Sequence, residues 1–297
     1  MTSGPASAAS ARTLRVAAIQ LASGTDAAAN VARALALVEE AARAGARYIQ
    51  LPEYTTYLGP PAGAAGAAET VPGPATDLFA AAARRLGVVV HVGSLLERTA
   101  GRPANTSVVL GPDGRVAATY RKVHLFDVDV PGAVAYRESD ALVAGDELVA
   151  VDLDGLRLGL SVCFDLRFPD LYGALARAGA QVLAIPAAFN AVTGAAHWHV
   201  LTRARAIENH AFVVAAAQAG RTPEGVATFG HALVVDPWGV ILAEAQGDEP
   251  QVVAATLDLD AVTARRAQID VLALRRPDAY ARGVRVARGP EGPSEQT

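Results

Sequence analysis

The stretch Leu156-Arg157-Leu158-Gly159-Leu160-Ser161-Val162-Cys163-Phe164-Asp165-Leu166-Arg167-Phe168-Pro169 is an apolar run that stops at Cys163, turns through polar residues and reopens at Pro169. The residues after the turn, Pro-Asp-Leu-Tyr-Gly-Ala-Leu-Ala-Arg-Ala, carry a helical pattern. Proline fits the first helical turn, where its missing N–H would have no partner in any case. The reading is therefore buried strand, tight turn, helix, with Cys163 on the turn. In open α/β folds ligands bind at that edge, and a thiol there is placed as a nucleophile would be. A lone cysteine at a strand end is also the usual description of a small buried hydrophobe. On this stretch alone both readings stand.

The chain has 297 residues, of which 52% are hydrophobic, enough for one large α/β domain or two small ones. A net charge of −4 and a pI near 5.9 argue against a nucleic-acid partner, which would call for a basic face. Cys163 is the single cysteine. An intramolecular disulfide is thus excluded, and a reducing cytoplasm suits the chain. Residues 1–12 are rich in Ala and Ser without an apolar core, so they read as a disordered segment and not as a secretory signal. No uncharged apolar stretch approaches the ~18 residues of a membrane span.

Taken in order, Leu14 to Leu21 reads as a buried strand and Asp26 caps a helix that Gly45 ends. Arg47-Tyr48-Ile49-Gln50-Leu51 is a strand, followed at once by Pro52 and Glu53. Residues 59–67, Gly-Pro-Pro-Ala-Gly-Ala-Ala-Gly-Ala, read as a low-complexity loop. Thr76 caps the next helix. A hairpin turns at Gly111-Pro112-Asp113-Gly114 and delivers Tyr120-Arg121-Lys122-Val123-His124-Leu125. A loop runs through Val130-Pro131-Gly132 to Glu138-Ser139, and a second hairpin leads into the Cys163 strand. Beyond it come a helix over 196–209, a strand over 211–217, and a hairpin around Asp236-Pro237-Trp238-Gly239. The order predicts layered α/β with mixed sheets. Neither a phosphate-cradling glycine loop nor metal-ligand spacing among the six histidines is evident.

Glu53, Lys122 and Cys163 thus each fall at a strand edge. Hydrolysis of an amide by a thiol needs a base for the thiol proton and a donor for the tetrahedral oxyanion. A free thiol, with a pKa of about 8.5, is mostly protonated at neutral pH. A carboxylate, an ammonium and a thiol supply the required parts. A solvated loop carboxylate, a surface lysine and a buried cysteine are the alternative reading.

Leu51-Pro52-Glu53, Tyr120-Arg121-Lys122-Val123-His124-Leu125 and Val162-Cys163-Phe164-Asp165-Leu166-Arg167-Phe168-Pro169 together resemble the three signature blocks of the nitrilase, or carbon–nitrogen hydrolase, superfamily. The likeness runs from about Arg15 to Tyr280 and includes Ala187-Ala188-Phe189-Asn190 and Thr193-Gly194-Ala195-Ala196-His197-Trp198. It is similar in particular to the branch holding omega-amidases and deaminated-glutathione amidases. The resemblance implies an α/β fold, a four-layer αββα sandwich spanning 13–280, with 281–297 a tail that is disordered or at a dimer interface. It implies a homodimer or higher homo-oligomer, a small amide substrate, no metal and no organic cofactor. It assigns Cys163 as nucleophile, Glu53 as general base, Lys122 as oxyanion stabiliser with the Phe164 N–H, and Glu138 as a second glutamate beside the lysine. A substrate with a distal carboxylate would draw on Tyr57, Arg167, Asn190, Thr193 and His197. The alternatives are another activity of the superfamily (aliphatic amidase, N-carbamoyl hydrolase or nitrilase), a papain-like Cys–His hydrolase, or a binding protein without catalysis.

Overall fold

The computed structural model describes residues 12–130, 134–153 and 155–286. The disorder expected for 1–12 therefore lies, except for Arg12, outside the described residues, as does the tail beyond residue 286. In chain order the strands are β1 (Thr13–Leu21), β2 (Tyr48–Gln50), β3 (Val89–Glu97), β4 (Ala104–Leu110), β5 (Val116–Arg121), β6 (Asp127–Val130), β7 (Val134–Arg137), β8 (Ala150–Leu153), β9 (Leu156–Leu160), β10 (Val182–Ala184), β11 (Phe212–Ala215), β12 (Ala217–Arg221), β13 (Ala227–Phe229), β14 (Leu233–Val235), β15 (Ile241–Glu244) and β16 (Gln251–Asp258). The helices are α1 (Ala27–Arg43), α2 (Ala64–Ala67), α3 (Pro74–Leu86), α4 (Pro169–Arg177), α5 (Ala191–Asn209), α6 (Asp260–Gln268) and α7 (Pro277–Ala281).

Two mixed sheets form the centre. One runs β13-β12-β1-β2-β3-β4-β5, with β16 antiparallel along β1, and the other β15-β14-β11-β10-β9-β8. Each has a parallel core, β1-β2-β3 and β9-β10-β11, so each needs helical crossovers that cover a face. The side-chain alternation of β1 shows the layering. Ala17, Ile19 and Leu21 pack with Val31 and Val38 of α1 and Phe79 of α3. Val16 and Ala18 belong instead to the core shared with Leu158, Leu160 and Val213 of the second sheet. Leu171 and Leu175 of α4 and Trp198 of α5 join that core from the far side. The order of layers is helix, sheet, sheet, helix.

Several elements differ from the sequence reading, each for a local reason. Helix α5 begins at Ala191 because Asn190 caps it, its side chain accepting from the N–H groups of Val192 and Thr193. The strand expected over 211–217 divides: β11 pairs in the second sheet and β12 in the first. The loop over 59–67 contains a 3₁₀ turn, Pro61–Gly63, and α2. The loop before Glu138 contains the antiparallel pair β6 and β7.

One glycine fixes where the first sheet delivers Glu53. A Cβ at Gly93 of β3 would lie 1.9 Å from the Leu51 carbonyl oxygen and 2.6 Å from both the Pro52 carbonyl oxygen and the Pro186 side chain. The chain leaving β2 crosses β3 at this point, where the β3–β4 register also shifts. Two of the three obstructing atoms are backbone carbonyl oxygens, which cannot swing aside. We expect Gly93→Ala to destabilise the protein by at least about 2 kcal/mol in chemical denaturation, and to lower activity further than the lost folded fraction accounts for.

Candidate active site

Cys163 follows β9 at the carboxyl end of the second sheet and opens a 3₁₀ turn, Cys163–Arg167. Its φ of +48° is rarely adopted by a residue with a side chain and persists only where surroundings over-determine it. Its N–H donates to the Pro186 carbonyl at 2.9 Å. The fully buried Asp165 holds the rest of the turn. Oδ2 accepts from the Val162 N–H at 2.8 Å and the Tyr120 hydroxyl at 2.7 Å. Oδ1 accepts from the His124 N–H at 3.0 Å and lies 2.7 Å from its Nδ1. One carboxylate thus ties the cysteine turn of one sheet to the segment of the other that carries Lys122.

Glu53, Lys122 and Glu138 arrive from β2, β5 and the β7 edge, and all three are at most 2% exposed. Lys122 Nζ donates to Glu53 Oε1 at 2.9 Å and to Glu138 Oε2 at 2.8 Å. Asn105 Nδ2 bridges the carboxylates, donating to Glu53 at 2.8 Å and to Glu138 at 3.2 Å. The Tyr54 hydroxyl donates to Glu138 at 2.5 Å, and the Phe126 N–H donates to it at 2.6 Å. Glu53 Oε2 accepts from the Ala188 N–H at 2.8 Å. Below, Gln218 donates to the Glu53 backbone carbonyl.

Burial by itself would lower the Lys122 ammonium, but the charges of Glu138 and Glu53 outweigh it and hold its pKa well above the ordinary lysine range. Burial likewise works to raise the Glu138 carboxyl, yet Lys122 and the donors around it leave its pKa below the usual value. The Cys163 thiol is pushed well up, first by burial and then by the Glu53 charge, with Lys122 pulling the other way. The resting thiol is accordingly protonated, beside a carboxylate and a fixed cation. Such a set can move the thiol proton onto a carboxylate while an ammonium faces the developing charge.

These groups form the floor of a cavity of about 410 Å³, within the usual size range for small-molecule sites. Tyr57, Asn190 and Thr193 line it. The Thr193 hydroxyl is buried without a hydrogen-bond partner among the described residues. Arg167 and His197 are not in its lining. They face each other, Arg167 Nη1 to His197 Nδ1 at 3.2 Å, because the guanidinium lies over the outer rings of Phe164 and Phe189, 5.7 and 5.0 Å from their centroids. Tyr54, Tyr136 and Arg221 also line the cavity, none of them among the substrate contacts expected from the sequence.

A carbon–nitrogen hydrolase family model matches residues 15–267. The chain belongs to the carbon–nitrogen hydrolase family. It is 40% identical over 270 residues to the human omega-amidase NIT2, covering 90% of this chain and 96% of that one. Among solved structures it resembles the C. elegans NitFhit protein, with a TM-score of 0.85, 35% identity and 90% of this chain covered; the match spans 66% of NitFhit. It also resembles the amidase of Nesterenkonia sp. AN1, with a TM-score of 0.73, 26% identity and coverage of 86% and 98%, in a structure with acrylamide added at that enzyme's active-site cysteine. The fold of this carbon–nitrogen hydrolase is the αββα sandwich of the nitrilase superfamily. Neither Tyr54 nor Asn105 carries a signal in the sequence, except that Tyr54 is adjacent to Glu53.

The electrostatics give a prediction with a definite sign. Glu53→Gln removes a negative charge that opposes thiolate formation and keeps Lys122 in place. The Cys163 pKa should therefore fall in this variant, read by thiolate absorbance near 240 nm across pH, while turnover falls. A thiol pKa that rises or stays put would show that the carboxylate and the sulfur are uncoupled.

Proposed function

We propose that the protein is an omega-amidase: it hydrolyses the terminal amide of small substrates whose far end is a carboxylate, through a Cys163 thioester, and releases ammonia. The observation that carries this reading is the buried Glu53–Lys122–Glu138 cluster at the floor of a cavity that also holds the chain's single cysteine. The extended similarity to omega-amidases supports the choice of substrate class.

Glu53 accepts the Cys163 proton as the sulfur attacks the amide carbonyl. Lys122 and the Phe164 N–H hold the oxyanion. Collapse expels ammonia with a proton from Glu53 and leaves the thioester. Glu53 then takes a proton from water, the hydroxide adds to the thioester, and the acid departs as the thiol re-forms. Thr193 and Tyr57 position the substrate from the walls. Arg167, stacked on the Phe164 and Phe189 rings that line the cavity, takes the distal carboxylate by turning its guanidinium inward past them. It makes a single hydrogen bond, to exposed His197, among the described residues. Arg221 lies at the cavity too, but one of its donors is committed to the Gly225 carbonyl.

The protein works as a homodimer in the cytoplasm. A reducing compartment keeps the thiol free. No helix among the described residues is long and apolar enough to cross a membrane. Val200 and Ile207 of α5 and Trp238, Val240 and Leu242 near the β14–β15 turn are exposed, and the turn packs on α5 through Gly239, whose carbonyl accepts from Arg203. Exposed apolar side chains gathered around such a contact mark a protein interface. Light scattering should give twice the chain mass, and Val200→Asp should shift it toward the monomer.

Ammonia release from alpha-ketoglutaramate, succinamate and butyramide, and cysteinylglycine release from deaminated glutathione, test the activity. The carboxylate-bearing amides should be preferred, and Cys163→Ala should abolish release from all. Turnover of nitriles or N-carbamoyl compounds alone would refute the reading. Arg167→Ala should raise KM for succinamate about 10–100-fold, the value of a hydrogen bond to a charged group, and leave butyramide nearly unchanged. The same pattern from Arg221→Ala instead would move the carboxylate subsite to the other wall.

A further inference from the structure

Three metal-ligating side chains converge away from the cavity floor, on a part of the molecule for which the proposed chemistry has no use. His199 comes from α5, His231 from the segment between β13 and β14, and Glu244 from the end of β15. His199 Nε2 and His231 Nδ1 each lie 2.7 Å from the same oxygen, Glu244 Oε1. One potential ligand atom from each residue falls within 4.8 Å of the other two. All three side chains are partly exposed, at 33%, 31% and 22%.

We propose that His199, His231 and Glu244 form a binding site for a divalent transition cation of borderline softness, Zn²⁺ in the first instance. Two imidazoles and one carboxylate are a donor set suited to such an ion. With bonds of about 2.0–2.1 Å, ligand atoms around a tetrahedral or octahedral ion stand roughly 2.9–3.4 Å apart. The two nitrogen–oxygen separations, now 2.7 Å, therefore need to open by about 0.2–0.7 Å. The partial exposure leaves water able to complete the coordination.

The position of His231 is fixed before any ion arrives. Its φ is +58°, a conformation that requires external support. The Trp198 indole N–H donates to its carbonyl at 2.8 Å, and the Phe229 ring stacks on the imidazole with centroids 4.4 Å apart. His199 lies edge-on to His231 at 5.2 Å. An ion here would clamp α5, whose first turn lines the amide cavity, to the second sheet through β15. No metal-ligand spacing is visible in the sequence because His199 and Glu244 are 45 positions apart.

The test uses tag-free full-length Cys163→Ala protein, which removes the only thiol as a competing ligand, stripped with a chelator. Titration with Co²⁺ should give visible d–d bands that saturate at one ion per chain. Zn²⁺ should displace the Co²⁺ and raise the melting temperature. In the same background, His199→Gln and Glu244→Gln should each weaken binding at least about tenfold and abolish the Zn²⁺-induced shift, with circular dichroism confirming that both fold. Absence of bands and of a shift in the parent, or equal binding in parent and variants, would overturn the site and leave a hydrogen-bonded His–Glu–His cluster. None of these readouts depends on amide turnover, so failure of the amidase reading would register separately.

Discussion

The arrangement of the site depends on a lysine removed from water between two carboxylates. Lys122, Glu53 and Glu138 bring three formal charges into the interior, where desolvation costs several kcal/mol per ion. Such a cluster is weak support for stability, but it is demanding about assembly. Deleting one member strands the others, at a cost of about 3–5 kcal/mol. The three residues come from different elements, so the end of β2, the end of β5 and the β6–β7 pair must all reach the same point. Asn105, bonded to both carboxylates, and Tyr54, bonded to Glu138, satisfy oxygens that the single ammonium cannot.

Asp165 extends this constraint across the two sheets. Its carboxylate is shared by the Tyr120 hydroxyl and His124 on one side and the Val162 N–H on the other. The turn that forces Cys163 into positive φ is thereby held by the same strand that leads into Lys122. The cysteine and the lysine are positioned relative to each other by one buried acid two residues from the sulfur. A charged clamp with four partners is worth more than its pairwise sum in a low-dielectric interior.

What could be read beforehand follows the range of the physics. Strands β1, β2, β9 and β10 were legible because burial on both faces writes a continuous apolar run, and the polar residue ending such a run marks the sheet edge. Glu53 and Cys163 are of this kind; Lys122 instead follows β5, the largely exposed second strand of the hairpin at 111–114. Helix α5 began earlier than its pattern because Asn190 acts as a cap and because Gly194 accommodates the Phe229 side chain, whose Cβ lies 2.4 Å from where a glycine Cβ would be. The division of residues 211–217 between two sheets has no local signature, since Ala215, Ala216 and Ala217 suit either. Arg167 was visible as a cation near the thiol, but its stacking on Phe164 and Phe189 depends on α5 and the β10 edge packing together. Tyr54 and Asn105 look like ordinary residues until two glutamates distant in sequence converge on them.

The pairing of two glutamates with one lysine acquires a purpose when the proton is followed through the proposed reaction. At rest the cluster holds two negative charges and one positive. Transfer of the Cys163 proton to Glu53 leaves that total unchanged, since the sulfur gains the charge the carboxyl loses. The low-dielectric site therefore avoids creating net charge, the costliest step in such a medium. What changes is where Lys122 finds its counterion. Once Glu53 is neutral, the ammonium retains Glu138 as an anchor and has donor capacity released toward the oxygen becoming negative above it. With a single glutamate, protonation would leave the lysine buried and unpaired. Glu138, held by Tyr54 and the Phe126 N–H independently of the reaction, keeps the cation in place throughout.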